Sequence, residues 1–444
     1  MPHVLRWLGG LATSLVGNQI YLVALAWVAV QTTTPANVGW ILVAGAIPQA
    51  ALLLVGGALV DRLGPKRVIL VSDVLRTAVM VVLALLVARH APSVWLLVAL
   101  SVVFGVLDGF FLPAISTAPR YLVAPSELTR VTAAKTLVAR AAEFIGSPLA
   151  SWLLVVASTA AAFWANAGLF ALSVVLLALT RMRGPVEEPG TAPAVTPVTR
   201  ARSSLGSEVA DGVRLMGQQR TLSTLLAVVF LMELGFSGPM MAGVPLLAAE
   251  TGWGVAAVGW VLAGFGLGAA AAAGVLTWRR QVRRTGLVVP AGLAAMGLGV
   301  VGLGLLPDAG LARPVALLLA GLLGLVAGLG SGFFGTLVTS VVLGLARNDQ
   351  IGRVMGALSF SSLAAVPITF ALTGLLTGWT NAEVPFLVGG GLVLLAALVA
   401  ITNGHVRQLS GGAVPGGGAR RRRPGRATTA AAATRPRRAV GGPS

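Results

Sequence analysis

Six charged side chains stand inside stretches of sequence that are otherwise apolar: Asp73, Arg76, Asp108, Arg140, Glu143 and Glu233. At the centre of a bilayer a charged group costs at least ~2.5–3.5 kcal/mol on insertion scales. In a lipid-embedded chain each such residue therefore marks an ion pair, a proton site or a contact with a polar passenger. Arg140 and Glu143 stand three apart, the spacing at which a helix brings two side chains together. With Asp73, Arg76 and Asp108 they suit an ion-pair network. The alternative chemistry makes Asp108 or Glu143 a proton site controlled by Arg140, which is expected to keep Asp108 ionised. Glu233 has no basic residue within a helical turn. A carboxyl placed so suits proton exchange, or capture of a cation.

Enzyme chemistry finds no comparable set of residues. The chain has no cysteine, which excludes disulfides, zinc–thiolate sites, iron–sulfur clusters and cysteine nucleophiles. Its three histidines, His3, His90 and His405, are scattered along 444 residues. No catalytic residue, metal site or cofactor is expected. Lys66 and Lys135 are the only lysines, and neither follows the glycine that a phosphate-binding loop requires.

The elements that must carry these residues follow from composition. Hydrophobic residues make up 56% of the chain and charged residues only 10%, where a soluble domain carries about 25% charged. Such a chain cannot cover a water-facing surface with polar groups, so its solvent is lipid. Between charge clusters lie twelve segments long enough to span a bilayer: 5–30, 38–60, 68–88, 93–114, 134–157, 160–180, 221–247, 255–277, 286–306, 314–345, 354–377 and 384–402. The expected fold is an all-α integral membrane protein of twelve transmembrane helices in two six-helix bundles, 1–180 and 221–402. A polar loop, 181–220, joins them and is expected to hold an amphipathic helix at 207–216. A basic tail, 403–444, reads as disordered.

Positive charge sets the expected orientation. With the amino terminus inside, inner loops collect 19 Lys or Arg residues without the tail, and outer loops collect only Arg89 and Arg313. Both termini and the middle loop are then cytoplasmic. Half of the formal charge of +18 sits in the tail, where nine arginines have no aromatic interleaved. Anionic lipid headgroups suit that pattern and nucleic acid does not. Thirty arginines against two lysines, with abundant Ala and Gly, suggest a bacterial inner membrane.

The chain repeats itself at an offset of 217. Gly57-Ala-Leu-Val-Asp61-Arg62-Leu-Gly64-Pro-Lys66-Arg67 in the second inner-side loop aligns with Gly274-Val-Leu-Thr-Trp278-Arg279-Arg280-Gln-Val-Arg283-Arg284, with Trp278 in place of Asp61. Parallel repeats of six helices are the plan of a rocking secondary transporter. The first copy resembles the signature loop of the major facilitator superfamily. Leu107-Asp108-Gly109-Phe110-Phe111, Pro245-Leu-Leu before Thr251-Gly252-Trp253, and Gly352-Arg353-Val354-Met355 are similar to the branch that includes the enterobactin exporter and macrolide efflux proteins. The helix-5 antiporter motif of that superfamily survives only as Ser147-Pro148 with Ser151-Trp152, and an acidic residue frequent in helix 1 of relatives is Asn18 here.

The resemblance implies a conformational role for Gly57, Asp61, Arg62, Gly64, Lys66 and Arg67. In the outward-facing state Asp61 is expected against the start of helix 11, near Gly352 and Arg353, where the helix dipole favours an anion, and the contact is expected to break when the inner side opens. The resemblance also implies a central cavity bordered by helices 1, 4, 7 and 10. Asn18, Gln19, Tyr21, Phe236 and Met240 are expected to face a substrate there, methionine and aromatic walls being adaptable. The expected activity is proton-driven export of a small, largely hydrophobic drug, natural product or siderophore by a monomer. The alternative is a non-transporting sensor or assembly partner on the same scaffold.

Overall fold

The computed structural model describes residues 2–182 apart from His90, and residues 220–278, 285–345 and 351–403. The helix expected at 207–216, the basic tail beyond Asn403 and Arg279 to Arg284 of the second loop copy lie outside these residues. Twelve spanning helices account for nearly all the rest. They are α1 (Pro2–Thr32), α2 (Pro35–Leu63), α3 (Pro65–Arg89), α4 (Val94–Thr117), α5 (Pro125–Val156) and α6 (Thr159–Ala178), then α7 from Arg220 to Glu250, α8 (Val255–Trp278), α9 (Thr285–Leu305), α10 (Arg313–Leu345), α11 (Ile351–Trp379) and α12 (Val384–Thr402).

Local chemistry sets several ends. Proline opens α1, α2, α3 and α5, a position where its missing N–H and fixed φ cost nothing. Ser93 and Ser158 cap α4 and α6 by accepting from the amides of Leu96 and Ala161. Gly64 turns the chain between α2 and α3 at φ 80°, a conformation that any side chain would strain. The fifth helix begins at Pro125, ahead of the apolar stretch that starts at 134. Pro125 at its first position and Glu127 in its first turn favour a helix there, and its charged first turns need no lipid.

The two halves repeat one packing scheme. In the first, α2 packs on α4, α1 on α5 and α6, and α3 on α4 and α6; in the second, α8 packs on α10, α7 on α11 and α12, and α9 on α10 and α12. Small residues let these backbones touch. A Cβ built at Gly105 on α4 would stand 2.1 Å from the carbonyl oxygen of Gly45 on α2. That helix pair tolerates no side chain there.

Between the bundles, α2 meets α11 and α5 meets α8. The close approaches lie toward the end of the molecule opposite the signature loop. A Cβ on Gly39 would come within 2.6 Å of the Phe370 oxygen, and one on Gly374 within 2.7 Å of the Pro35 oxygen. On the other seam, Gly259 lies under Ser151 and Gly266 under Phe144. Toward the signature-loop end, Gly57 faces open space and Leu137 and Trp278 are 68% and 86% exposed. The bundles therefore touch at one end and part toward the other.

Helix α7 is not the uninterrupted span its sequence implies. It runs Arg220–Gly238, passes through a π-helical turn at Pro239–Gly243 and continues as Val244–Glu250. Pro239 lacks an amide proton, and the widened turn absorbs the break. Thr369 of α11 repairs it. Its hydroxyl accepts from the Gly238 amide at 3.2 Å and donates to the Leu234 carbonyl at 2.7 Å.

Candidate functional site

The deepest charges lie within the amino-terminal bundle. Asp73 and Arg76 share one face of α3, three residues apart, and both side chains are fully buried. Arg76 Nη1 donates to Asp73 Oδ1 at 3.2 Å, and Nη2 donates to Asp108 Oδ1 on α4. The guanidinium lies 4.1 Å from the ring centre of Phe111 and 5.5 Å from that of Phe170, which gives a desolvated cation two aromatic faces. Ser14 of α1 donates to Asp73 Oδ1 at 2.9 Å. The Ser173 hydroxyl of α6 lies 2.6 Å from Asp73 Oδ2 and 2.8 Å from the Gly10 carbonyl, with one proton to share between them. One buried network thus ties α1, α3, α4 and α6.

Arg140 is not part of it. Its guanidinium pairs with Glu143 on its own helix at 2.7 and 3.0 Å, with both side chains partly exposed. The expectation that Arg140 faces Asp108 is therefore corrected: Arg76 holds that place. Depth in the membrane is similar for both arginines, but α3 packs on α4, whereas α5 packs mainly on α1 and α8. An exposed i,i+3 pair of this kind contributes little to stability.

Glu233 sits on α7 one turn ahead of the π-turn. Its carboxylate accepts from Ser237 on the same helix and from Ser362 on α11, and neither partner is charged. The C-terminal half thus has its membrane acid among hydroxyls, whereas the N-terminal half pairs its acids with a guanidinium.

In the signature loop, Lys66 reaches the end of α6 and donates to the carbonyls of Ala178 and Thr180 at 2.9 and 2.7 Å. It completes a helix terminus whose carbonyls have no intrahelical partner. Asp61, Arg62 and Arg67 are exposed. The side chain of Arg353, the expected neighbour of Asp61, lies outside the described side chains.

The residues expected around a substrate are dispersed. Tyr21 is buried, stacks on Phe104 with centroids 3.7 Å apart and shares a hydrogen bond with Ser101. Gln19 packs beneath Gly146 of α5, and Met240 is buried in the core. Phe236 packs against Phe265 at 5.4 Å, bringing α7 to α8. Asn18 keeps a buried side-chain oxygen without a described partner. A separate apolar cavity of about 300 Å³ opens on the α5–α8 seam, between Pro148, Ser151, Trp152, Gly259 and Trp260. The altered antiporter motif lines it. Ser14, Ser173 and Thr369 were not foreseen, since lone hydroxyls in apolar helices carry no spacing signal.

Two like bundles of six spanning helices, meeting at one end and holding buried charge, define a multi-pass membrane protein with a transporter fold. The sequence profile of the Major Facilitator Superfamily matches residues 7–324, and the chain belongs to that superfamily. The uncharacterised MFS-type transporter YfiS of Bacillus subtilis is 24% identical over 402 residues, which cover 89% of this chain and 91% of that protein. The multidrug efflux pump Tap of Mycolicibacterium fortuitum is 26% identical over 415 residues, 91% and 96% of the two chains. Among solved structures, a peptide transporter POT superposes with a TM-score of 0.69 at 15% identity, covering 92% of this chain and 96% of that one. The nucleoside transporter NupG superposes at 0.65 and 14% identity, covering 90% and 98%. These relatives are transporters, and the chain is not an enzyme.

Proposed function

We propose that the chain exports a small, largely hydrophobic molecule (a drug, natural product or siderophore) across a bacterial inner membrane, driven by protons that enter in exchange. The observation that carries the reading is the seam between the bundles. Backbone meets backbone at Gly39–Phe370 and Gly266–Phe144, while the signature-loop ends stand apart, an arrangement suited to rocking between two openings. The excess of basic residues on the signature-loop side of the chain supports a cytoplasmic open end and cytoplasmic termini. Export as the direction is supported by the relatives named as multidrug efflux pumps, whose likeness extends over most of this chain.

Glu233 exchanges the proton in the carboxy-terminal bundle, one turn ahead of the π-turn. Asn18 and Gln19 meet the substrate from α1. The signature loop, from Gly57 to Arg67, acts as a latch between states. The protein works as a monomer in contact with lipid, protons and its substrate. Everted membrane vesicles carrying the full chain, given an imposed proton gradient and a panel of macrolides, lipophilic cations and siderophores, test this. At least one panel member should accumulate, and a protonophore should abolish its accumulation. Accumulation that ignores the protonophore, or none across the panel, rejects the reading.

A further inference from the structure

The cavity of about 300 Å³ on the α5–α8 seam belongs to neither charged site. An apolar cavity of about half that size stays dry and takes a benzene-sized guest. Pro148, Ser151 and Trp152 of α5 form one wall, and Gly259, Trp260 and Ala263 of α8 form the other. No residue lining it is ionisable. Counted from the helix ends at Val156 and Val255, Ser151 and Gly259 lie about 6–8 Å down their helices. The cavity therefore sits in the shallow part of one leaflet, at the end where the bundles touch. Trp40, Trp95, Trp164 and Trp379 are exposed within two turns of that same end, the level at which tryptophans gather in a membrane interface.

The mouth of the cavity faces lipid. Because the bundles meet here, side chains exposed on α5 and α8 point outward from the molecule, and Trp152, Val155 and Trp260 are each more than half exposed. Beneath them the seam is shut, since a Cβ on Gly259 would stand 2.8 Å from that of Ser151. An occupant lies along the lipid side of the seam and does not pass through it.

One polar group in this wall lacks a partner. Ser151 is 4% exposed, and its hydroxyl has no hydrogen-bond partner among the described residues. Other hydroxyls return their proton to the carbonyl one turn back, as Ser116 does to Leu112 and Thr77 to Asp73. A buried donor without an acceptor is costly. Rotation about the Cα–Cβ bond of Ser151 turns its hydroxyl toward the cavity that it lines. The guest that suits this site is hydrocarbon with one acceptor near the interface. A glycerophospholipid meets both conditions, its chain against the apolar walls and its ester carbonyl at the depth of Ser151. A drug-sized passenger suits it less well: the volume stands at the lower end of the roughly 300–1,000 Å³ of such pockets, and one buried hydroxyl is a poor set of orienting groups.

We infer that the cavity binds one acyl chain of a glycerophospholipid, with Ser151 donating to its ester carbonyl, and that the bound chain keeps this end of the molecule closed. The second part rests on the rocking motion proposed above. One wall comes from each bundle, so the cavity exists only while α5 and α8 meet. A ligand that binds one state raises the population of that state.

A phospholipid carrying a photoreactive diazirine in its acyl chain, diluted into phosphatidylglycerol vesicles that hold the full chain, tests the site. After illumination, mass spectrometry should find adducts on Trp152, Val155 and Ala263 well above those on Leu298 of α9, which is exposed but lines no cavity. Ser151→Ala should lower the cavity adducts about 2- to 10-fold, the worth of one net hydrogen bond. Ala256→Leu with Ala263→Leu fills the cavity and should bring adducts on Trp152 down to the Leu298 level; if that pair does not fold, Ser151→Ala carries the test. The closed state is read separately. The chain has no native cysteine, so spin labels on Asn37→Cys and Thr380→Cys report the end where the bundles touch without background. Phosphatidylglycerol added to the detergent-purified full chain should raise the closed population by a similar factor, and should change nothing in the filled variant. Adducts no more frequent than on Leu298, adducts that Ser151→Ala leaves unchanged, or a distance indifferent to phospholipid overturns the inference. Adducts displaced by a compound that accumulates in the transport assay would make the cavity a substrate site and overturn it too. Cross-linking uses neither a proton gradient nor a substrate, so its failure and a failure of transport are separate results.

Discussion

Gly39→Ala adds one methyl group to the outer seam, and the structure says what it meets. The new Cβ would stand 2.6 Å from the Phe370 oxygen and 3.1 Å from the Gly374 Cα. Both are backbone atoms and cannot turn aside. Ordinary contact begins near 3.4 Å, so α2 and α11 must part by about 0.8 Å, the difference between 3.4 and 2.6 Å. Overpacking of this order costs about 1–3 kcal/mol. Alanine also favours the helix over glycine by about 1 kcal/mol, but α2 is helical whichever end is open, so that gain cancels from the equilibrium between states. At about 1.4 kcal/mol per factor of ten, the outer-closed population should fall roughly 5- to 150-fold relative to the outer-open one. Spin labels on Asn37→Cys and Thr380→Cys, at the seam ends of α2 and α11, measure that ratio directly. Gly374→Ala, whose Cβ would lie 2.7 Å from the Pro35 oxygen, should act in the same direction; Gly391→Ala, which faces open space on α12, should do nothing. An unchanged distance distribution in Gly39→Ala, or an equal change in Gly391→Ala, refutes the reasoning.

Three further outcomes are expected. Glu233→Gln should abolish the pH dependence of transport of a neutral substrate while leaving substrate binding measurable; unchanged pH dependence in vesicles would reduce Glu233 to a structural acid. Thr369→Val strands the Gly238 amide and the Leu234 carbonyl at the π-turn and should destabilise by about 1–3 kcal/mol in thermal unfolding, with Thr369→Ser restoring most of it. Truncation after His405 removes all nine tail arginines and should leave transport per folded molecule unchanged; a folded but inactive truncation product contradicts that.

Much of this arrangement is legible in the sequence because lipid imposes coarse rules. Apolar runs of about twenty residues can only be spanning helices, and the offset repeat of Gly57 and Gly274 announces two like halves. Azimuth is what remains hidden. Arg76 and Arg140 both lie a few turns into neighbouring spans, and no spacing rule says which one faces Asp108. That depends on helix rotation, set by packing such as Gly105 on Gly45. The π-turn is hidden for a different reason. Pro239 flags a break in α7, but the repair comes from Thr369, far away in sequence, and no local pattern announces a partner at that distance. Tyr21 and Met240 look like cavity residues by type, yet both are buried against neighbouring helices, as apolar and aromatic residues in a helix bundle commonly are.

The backbone is duplicated, but the chemistry is not. At the offset of 217, Asp73, Arg76 and Asp108 become Pro290, Leu293 and Leu325, while Glu233 answers to Val16. Helix α9 carries no ionisable residue at all, and α10 carries only Arg313 at its first position. Symmetric packing with asymmetric charge has a mechanical consequence. In the amino-terminal bundle, the acids meet a guanidinium across helices, so that Arg76 ties α4 to α3. In the carboxy-terminal bundle, the described partners of Glu233 are Ser237 and Ser362, next to the π-turn that opens at Pro239. The first half therefore fastens its helices to one another through charge, and the second through hydroxyls. Exchanging the two acids' surroundings, rather than the acids, is what would interchange those roles.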